Sequence, residues 1–84
     1  MEFSIGQVIY SKAGRDKRRP FIVLRAEEGY LYLADGSCRT VKKPKKKKIM
    51  HVQPTKTVSE EVSRLIREGK ELKDSDIRTA LKDF

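Results

Sequence analysis

Along the first half of the chain, apolar positions fall in short runs separated by turn residues; in the last third they recur at helical spacing. Residues 4–11 alternate well enough for a first strand, with Ile5, Val8 and Tyr10 at inward or mixed positions. Residues 21–25 read as a second strand, whose continuous apolar run from Phe21 to Leu24 suits a buried central position. Glu27, Glu28 and Gly29 form a turn signal, and YLYLA at residues 30–34 reads as a third strand. Asp35-Gly36 is the dipeptide of a tight hairpin, so residues 37–41 are predicted to return as a fourth strand. Residues 42–48, KKPKKKK, contain no apolar residue and are predicted to be loop, with Pro44 opposing a helix. Residues 49–52 supply a fifth strand, and Gln53-Pro54 marks a boundary. Five short strands fit a small, strongly bent barrel better than a flat sheet with long open edges.

The pattern changes after Pro54. Thr57-Val58-Ser59-Glu60 matches a capping box with Thr57 as the cap, and Val58, Val62, Leu65 and Ile66 then share one helical face, with Gly69 as the stop. A second helix is expected to start near Asp74 or Ser75, with Asp74 and Asp76 at the positive end of its dipole and Ile77, Ala80, Leu81 and Phe84 at i, i+3, i+4, i+7. Helices this short do not persist alone in water, so they must pack on each other, on the barrel or on a partner.

Charge sharpens this division. The 84 residues carry a formal net charge of +8. Up to Gln53 there are thirteen Lys/Arg against five Asp/Glu, whereas from Pro54 onward there are seven of each. The excess lies wholly in the strand-forming part and points to a polyanionic partner, nucleic acid above all. Its densest local concentration outside the lysine run is residues 12–19, where Gly14 sits at the chain reversal and Arg15, Lys17, Arg18 and Arg19 follow, opposed only by Asp16. Pro20 then opens the next strand at a position that needs no amide donor.

Other chemistries find little support. Cys38 and His51 are the single cysteine and histidine, too few for a disulfide or a four-ligand zinc site. Cys38 reads as a small strand residue in a reducing compartment, and His51 as a strand residue. No nucleophile with its base, no metal-ligand spacing and no phosphate-cradling GxxxxGK[ST] loop is present, so neither catalysis nor a cofactor is expected. The start MEFSIGQ lacks the basic and apolar regions of a signal peptide, and no run nears the ~18 apolar residues of a membrane span. A cytoplasmic location is expected. Tyr10, Tyr30 and Tyr32 can either fill a core or stack on bases, and strand aromatics favour the core for two of the three.

Residues 4–30 resemble a KOW motif, an element of alternating apolar and polar residues with a hallmark glycine at its eleventh place, here Gly14. The longer stretch from Gly6 to Lys48 is similar to small bacterial KOW-domain proteins related to archaeal and eukaryotic large-subunit ribosomal proteins. The resemblance implies a five-stranded SH3-like barrel over residues 1–53, to which the helical pattern of residues 54–84 adds a two-helix extension packing on it. It also implies RNA binding through Ser11, Lys12, Gly14, Arg15, Lys17, Arg18 and Arg19. Arg39, Lys42, Lys43, Lys45, Lys46, Lys47 and Lys48 add charge, either toward the same RNA or as a solvated surface. Many KOW loops carry a second glycine after the acidic and basic pair, where this chain has Arg18-Arg19. The expected function is therefore binding of ribosomal RNA on or near the large ribosomal subunit. The alternative is a protein-interaction module whose helices dock on a translation or transcription factor.

Overall fold

The computed structural model describes residues 3–84; Met1 and Glu2, the latter counted in the charge balance, lie outside the described residues. Five antiparallel strands, β1 (Gln7–Ser11), β2 (Pro20–Glu27), β3 (Tyr30–Ala34), β4 (Lys45–Lys48) and β5 (Val52–Val58), form one sheet in the order β4-β3-β2-β1-β5. Two helices follow, α1 (Glu60–Arg67) and α2 (Asp74–Ala80). The fold is mainly β and barrel-like, but the ladder stays open: among the described residues β4 and β5 do not pair with each other. No helix is long and apolar enough to cross a membrane.

The sheet is apolar on both faces, which explains why strict alternation is weak in β1 and β2. Ile9, Phe21, Val23, Leu31, Leu33 and Val52 gather in one cluster, with Phe3, Ile5 and Ile49 against them. Val8, Ile22 and Ala34 face the other way and are covered by Val62 of α1 and by Ile77 and Leu81 at α2. The apolar faces of the helices are thus buried against the sheet itself, as an amphipathic pair too short to stand alone requires. Val8 and Ile9 show the consequence: neighbours in sequence on opposite faces, both are fully buried, whereas Tyr10 is only half-buried.

Four predicted elements are corrected. Residues 37–41 are not a strand. The Asp35 carboxylate accepts hydrogen bonds from the Ser37 and Arg39 amides at 2.9 and 2.8 Å, closing a local loop that competes with a hairpin. The loop is then held by α2: the Val41 amide donates to Asp74 Oδ1 at 2.8 Å. Gly36, at φ +82, lies so close that a Cβ there would stand 2.6 Å from the Asp74 carbonyl oxygen. Cys38 consequently sits exposed on this loop rather than in a strand.

The partner of β3 is instead the lysine run. Lys45–Lys48 pairs with β3 in register Leu33↔Lys45, Tyr32↔Lys46, Leu31↔Lys47 and Tyr30↔Lys48. Four identical residues hide any period of two, yet lysine suits an edge strand, where its charge discourages pairing with another chain. The fifth strand is displaced too. Ile49–His51 form one 3-10 turn, which takes His51 out of the strand, and β5 runs from Val52 through the proposed boundary at Gln53-Pro54 to Val58. Pro54 is tolerated because β5 is the other edge strand, where a missing amide donor interrupts no ladder beyond it.

The helix caps move as a result. Val58 still pairs with Gln7, so Thr57 belongs to the strand, and Ser59 caps α1 by accepting the Val62 amide on its Oγ at 3.3 Å. α1 stops before Gly69, and α2 starts at Asp74, both as expected. Val58 and Phe84, predicted on apolar helix faces, are exposed at 38% and 42%. Two of the three tyrosines were expected in the core; none is buried.

Candidate nucleic-acid interface

Residues 12–19 connect β1 to β2 as a compact loop closed by its own backbone. The Lys17 amide donates to the Gly14 carbonyl at 3.2 Å, the Arg18 amide to Ser11 at 2.7 Å and the Arg19 amide to Asp16 at 2.9 Å. Gly14 adopts φ +78, the left-handed conformation that its place at the chain reversal predicts. Arg18, at φ 71, is the sole non-glycine with positive φ among the described residues. It occupies the part of the loop where the resembled family often carries a second glycine. A side chain there costs about 1–2 kcal/mol of backbone strain. The loop therefore accepts strain and presents an exposed guanidinium.

One carboxylate anchors the loop to the lysine strand. Asp16, 7% exposed, takes Lys45 Nζ at 2.9 Å and Arg19 at 3.9 Å. The hydrogen bond from Lys45 holds the Asp16 carboxyl below its ordinary range, outweighing the opposing effect of burial. Two positions along, Lys47 turns inward and donates to the Ala13 carbonyl at 3.0 Å. Burial, then the charge of Lys45, pushes its ammonium pKa down. Arg19 also reaches Asp35 at 3.3 Å and lies 3.8 Å from the Cys38 sulfur, so it ties this loop to residues 35–39.

The predicted residues thus divide by direction. Ser11 is buried and donates to the Ala13 carbonyl at 3.0 Å. Arg19, Lys45 and Lys47 hold the loop. Lys12, Arg15, Lys17 and Arg18 are exposed and have no carboxylate partner among the described residues. Lys46 and Lys48 lie on the opposite side of β4 from Lys45 and Lys47, because side chains alternate along a strand. Lys46 stands over the Tyr30 ring at 4.6 Å, and Arg25 over Tyr32 at 4.2 Å. Arg39 is half-buried where its amide meets Asp35, and Lys42 and Lys43 lie exposed by the turn that the Lys43 amide closes onto the Thr40 carbonyl at 3.2 Å.

Beside the exposed loop cations lies an open cleft of about 540 Å³, lined by Tyr10, Ser11, Lys12, Lys17, Arg18 and Gln53. Tyr10 and Gln53 face each other across the β1–β5 pairing. Tyr10 was one of three tyrosines that the sequence left between core and base stacking, and Gln53 carried no binding signal; their meeting depends on a pairing between residues far apart in the chain. The arrangement combines cations free for anionic oxygens, an aromatic ring and one amide able both to donate and to accept. Set against known proteins, the chain matches no family model and no curated protein, so the reading of this surface rests on its own geometry.

Proposed function

We propose that the protein binds RNA through the β1–β2 loop, with Lys12, Arg15, Lys17 and Arg18 on phosphate oxygens and Lys46 and Lys48 adding to the positive field from the other side of β4. The observation that carries this reading is the cluster of loop cations without carboxylate partners among the described residues, gathered beside an open cleft on a domain whose net charge is +8. Phosphate contacts supply affinity by releasing condensed counterions, and recognition of folded RNA follows its shape and its unpaired bases. The five-strand order and the left-handed Gly14 support the SH3-like, KOW-type barrel that the sequence resemblance implies. On that resemblance the RNA is ribosomal, and the protein associates with the large subunit in the cytoplasm.

The test is binding to fragments of large-subunit ribosomal RNA across a salt series, together with gradient cofractionation at low and high salt. Four to six phosphate contacts give a slope of log K against log[salt] on the order of −3 to −5. Salt-sensitive comigration with the large subunit is expected. A slope near zero removes the electrostatic mechanism, and equal affinity for double-stranded DNA of matched length removes RNA as the preferred partner.

A further inference from the structure

Resting on the RNA-binding reading above, we infer that the cleft beside the β1–β2 loop is a pocket for one unpaired nucleotide, whose base stacks on Tyr10 while Lys12, Lys17 and Arg18 hold its flanking phosphates.

Three observations single out this place. First, the three tyrosines are not equivalent. Tyr30 and Tyr32 already have cations over their rings, Lys46 at 4.6 Å from Tyr30 and Arg25 at 4.2 Å from Tyr32, and Tyr32 also donates to Glu27 at 3.3 Å. Among the described residues no cation is stacked over Tyr10, which instead lines the open cleft. Second, a surface that bound phosphates alone would need only charge. Here the loop cations flank a half-buried aromatic residue, and a base with its phosphates needs both elements. Third, Gln53 stands opposite Tyr10 across the strand pair, where its amide can meet the edge of a base. The loop's shape supports the assignment: left-handed Arg18 lies on the cleft wall, held there by its amide bond to the Ser11 carbonyl at 2.7 Å.

A paired duplex cannot offer such a base without unstacking it, so the pocket selects bulges, loops and single strands.

The experiment compares a synthetic RNA hairpin carrying one bulged 2-aminopurine with the same hairpin fully paired, using the full chain and its Tyr10→Leu and Tyr10→Phe variants. Thermal melts first establish that both variants fold. The wild type is expected to prefer the bulged hairpin by about tenfold, the scale of stacking one base on an aromatic ring, and to quench the 2-aminopurine. Tyr10→Phe keeps both properties. Tyr10→Leu loses the preference and the quenching while keeping the affinity for the paired hairpin. Equal affinity of the wild type for both hairpins, with unchanged 2-aminopurine emission and a normal salt slope, overturns the base pocket and leaves the phosphate reading standing. Absence of salt-dependent binding to either hairpin overturns both.

Discussion

Residues 12–19 and 45–48 each carry a net charge of +4 and meet in the folded protein, yet they use that charge in opposite ways. In β4 the charges alternate in direction. Lys45 and Lys47 turn to the loop and are engaged by Asp16 and the Ala13 carbonyl, while Lys46 and Lys48 face away. Among the described residues, Arg19 is the one cation of the β1–β2 loop bound by carboxylates, and Lys12, Arg15, Lys17 and Arg18 are exposed. Half of the lysine run is engaged in holding the loop; most of the loop's own cations are exposed. A count of cations does not locate a binding surface, because a cation already paired with a buried carboxylate adds little to the attraction of a phosphate.

The largest effect should come from removing the free charges. Changing Arg15, Lys17 and Arg18 together to Ala is expected to lower RNA affinity by about two orders of magnitude near physiological salt. The salt slope should shrink by roughly 2–3, with little change in thermal stability. Lys47→Met, which replaces an inward cation by an apolar side chain of similar length, should leave affinity within about threefold. Titration of both variants against one RNA fragment decides the matter: a loss for Lys47→Met as large as for the triple variant would break the distinction between scaffold and interface.

A smaller effect, on stability rather than binding, is expected from Asp16→Asn. Without the carboxylate, Lys45 loses its ion pair and the partly buried Lys47 a favourable charge. The cost should be about 1–3 kcal/mol in denaturant unfolding. The pH dependence provides a second readout. Because the folded-state pKa of Asp16 is depressed, its stabilisation is fully present above the ordinary carboxylate value of 3.8 and is lost as pH falls through the lower folded value. The variant should therefore unfold less steeply with acid below about pH 4. Parallel acid limbs for wild type and variant would show that Asp16 does not anchor the loop.

The smallest change tests the strained position. Arg18→Gly relieves the left-handed backbone and should raise stability by up to about 1 kcal/mol, less the extra entropy of a glycine in the unfolded chain. It should also reduce the salt slope by about one contact. Higher stability with unchanged affinity would mean that the guanidinium does not reach RNA, and would sharpen the interface to Lys12, Arg15 and Lys17.

Local chemistry carried much of this in readable form. Gly14 was legible because one conformation suits its turn, Pro20 because it can begin a strand without an amide, and the end of α1 and the start of α2 because Gly69 and the acidic first turn of α2 act over a few residues. The lysine strand was not legible, since KKKK has no apolar period and becomes a strand only because β3 lacks another partner on that side. The Asp35-Gly36 signal failed for a related reason. The same dipeptide serves a hairpin or a side-chain-closed loop, and contact with α2, nearly forty residues away, accompanies the second.

The sequence by itself therefore determined that the chain is mainly β with a helical end, that its excess charge lies before Pro54, and that the β1–β2 loop is basic and turns at Gly14. Those properties depend on residue identity and on neighbours close along the chain. Tertiary structure alone decided which lysines face inward, that Asp16 joins loop to strand, and that Tyr10 and Gln53 meet beside the free cations. These are consequences of strand pairing at long separation, where the register sets the facing side chain and burial sets whether its charge is paired or left for a ligand.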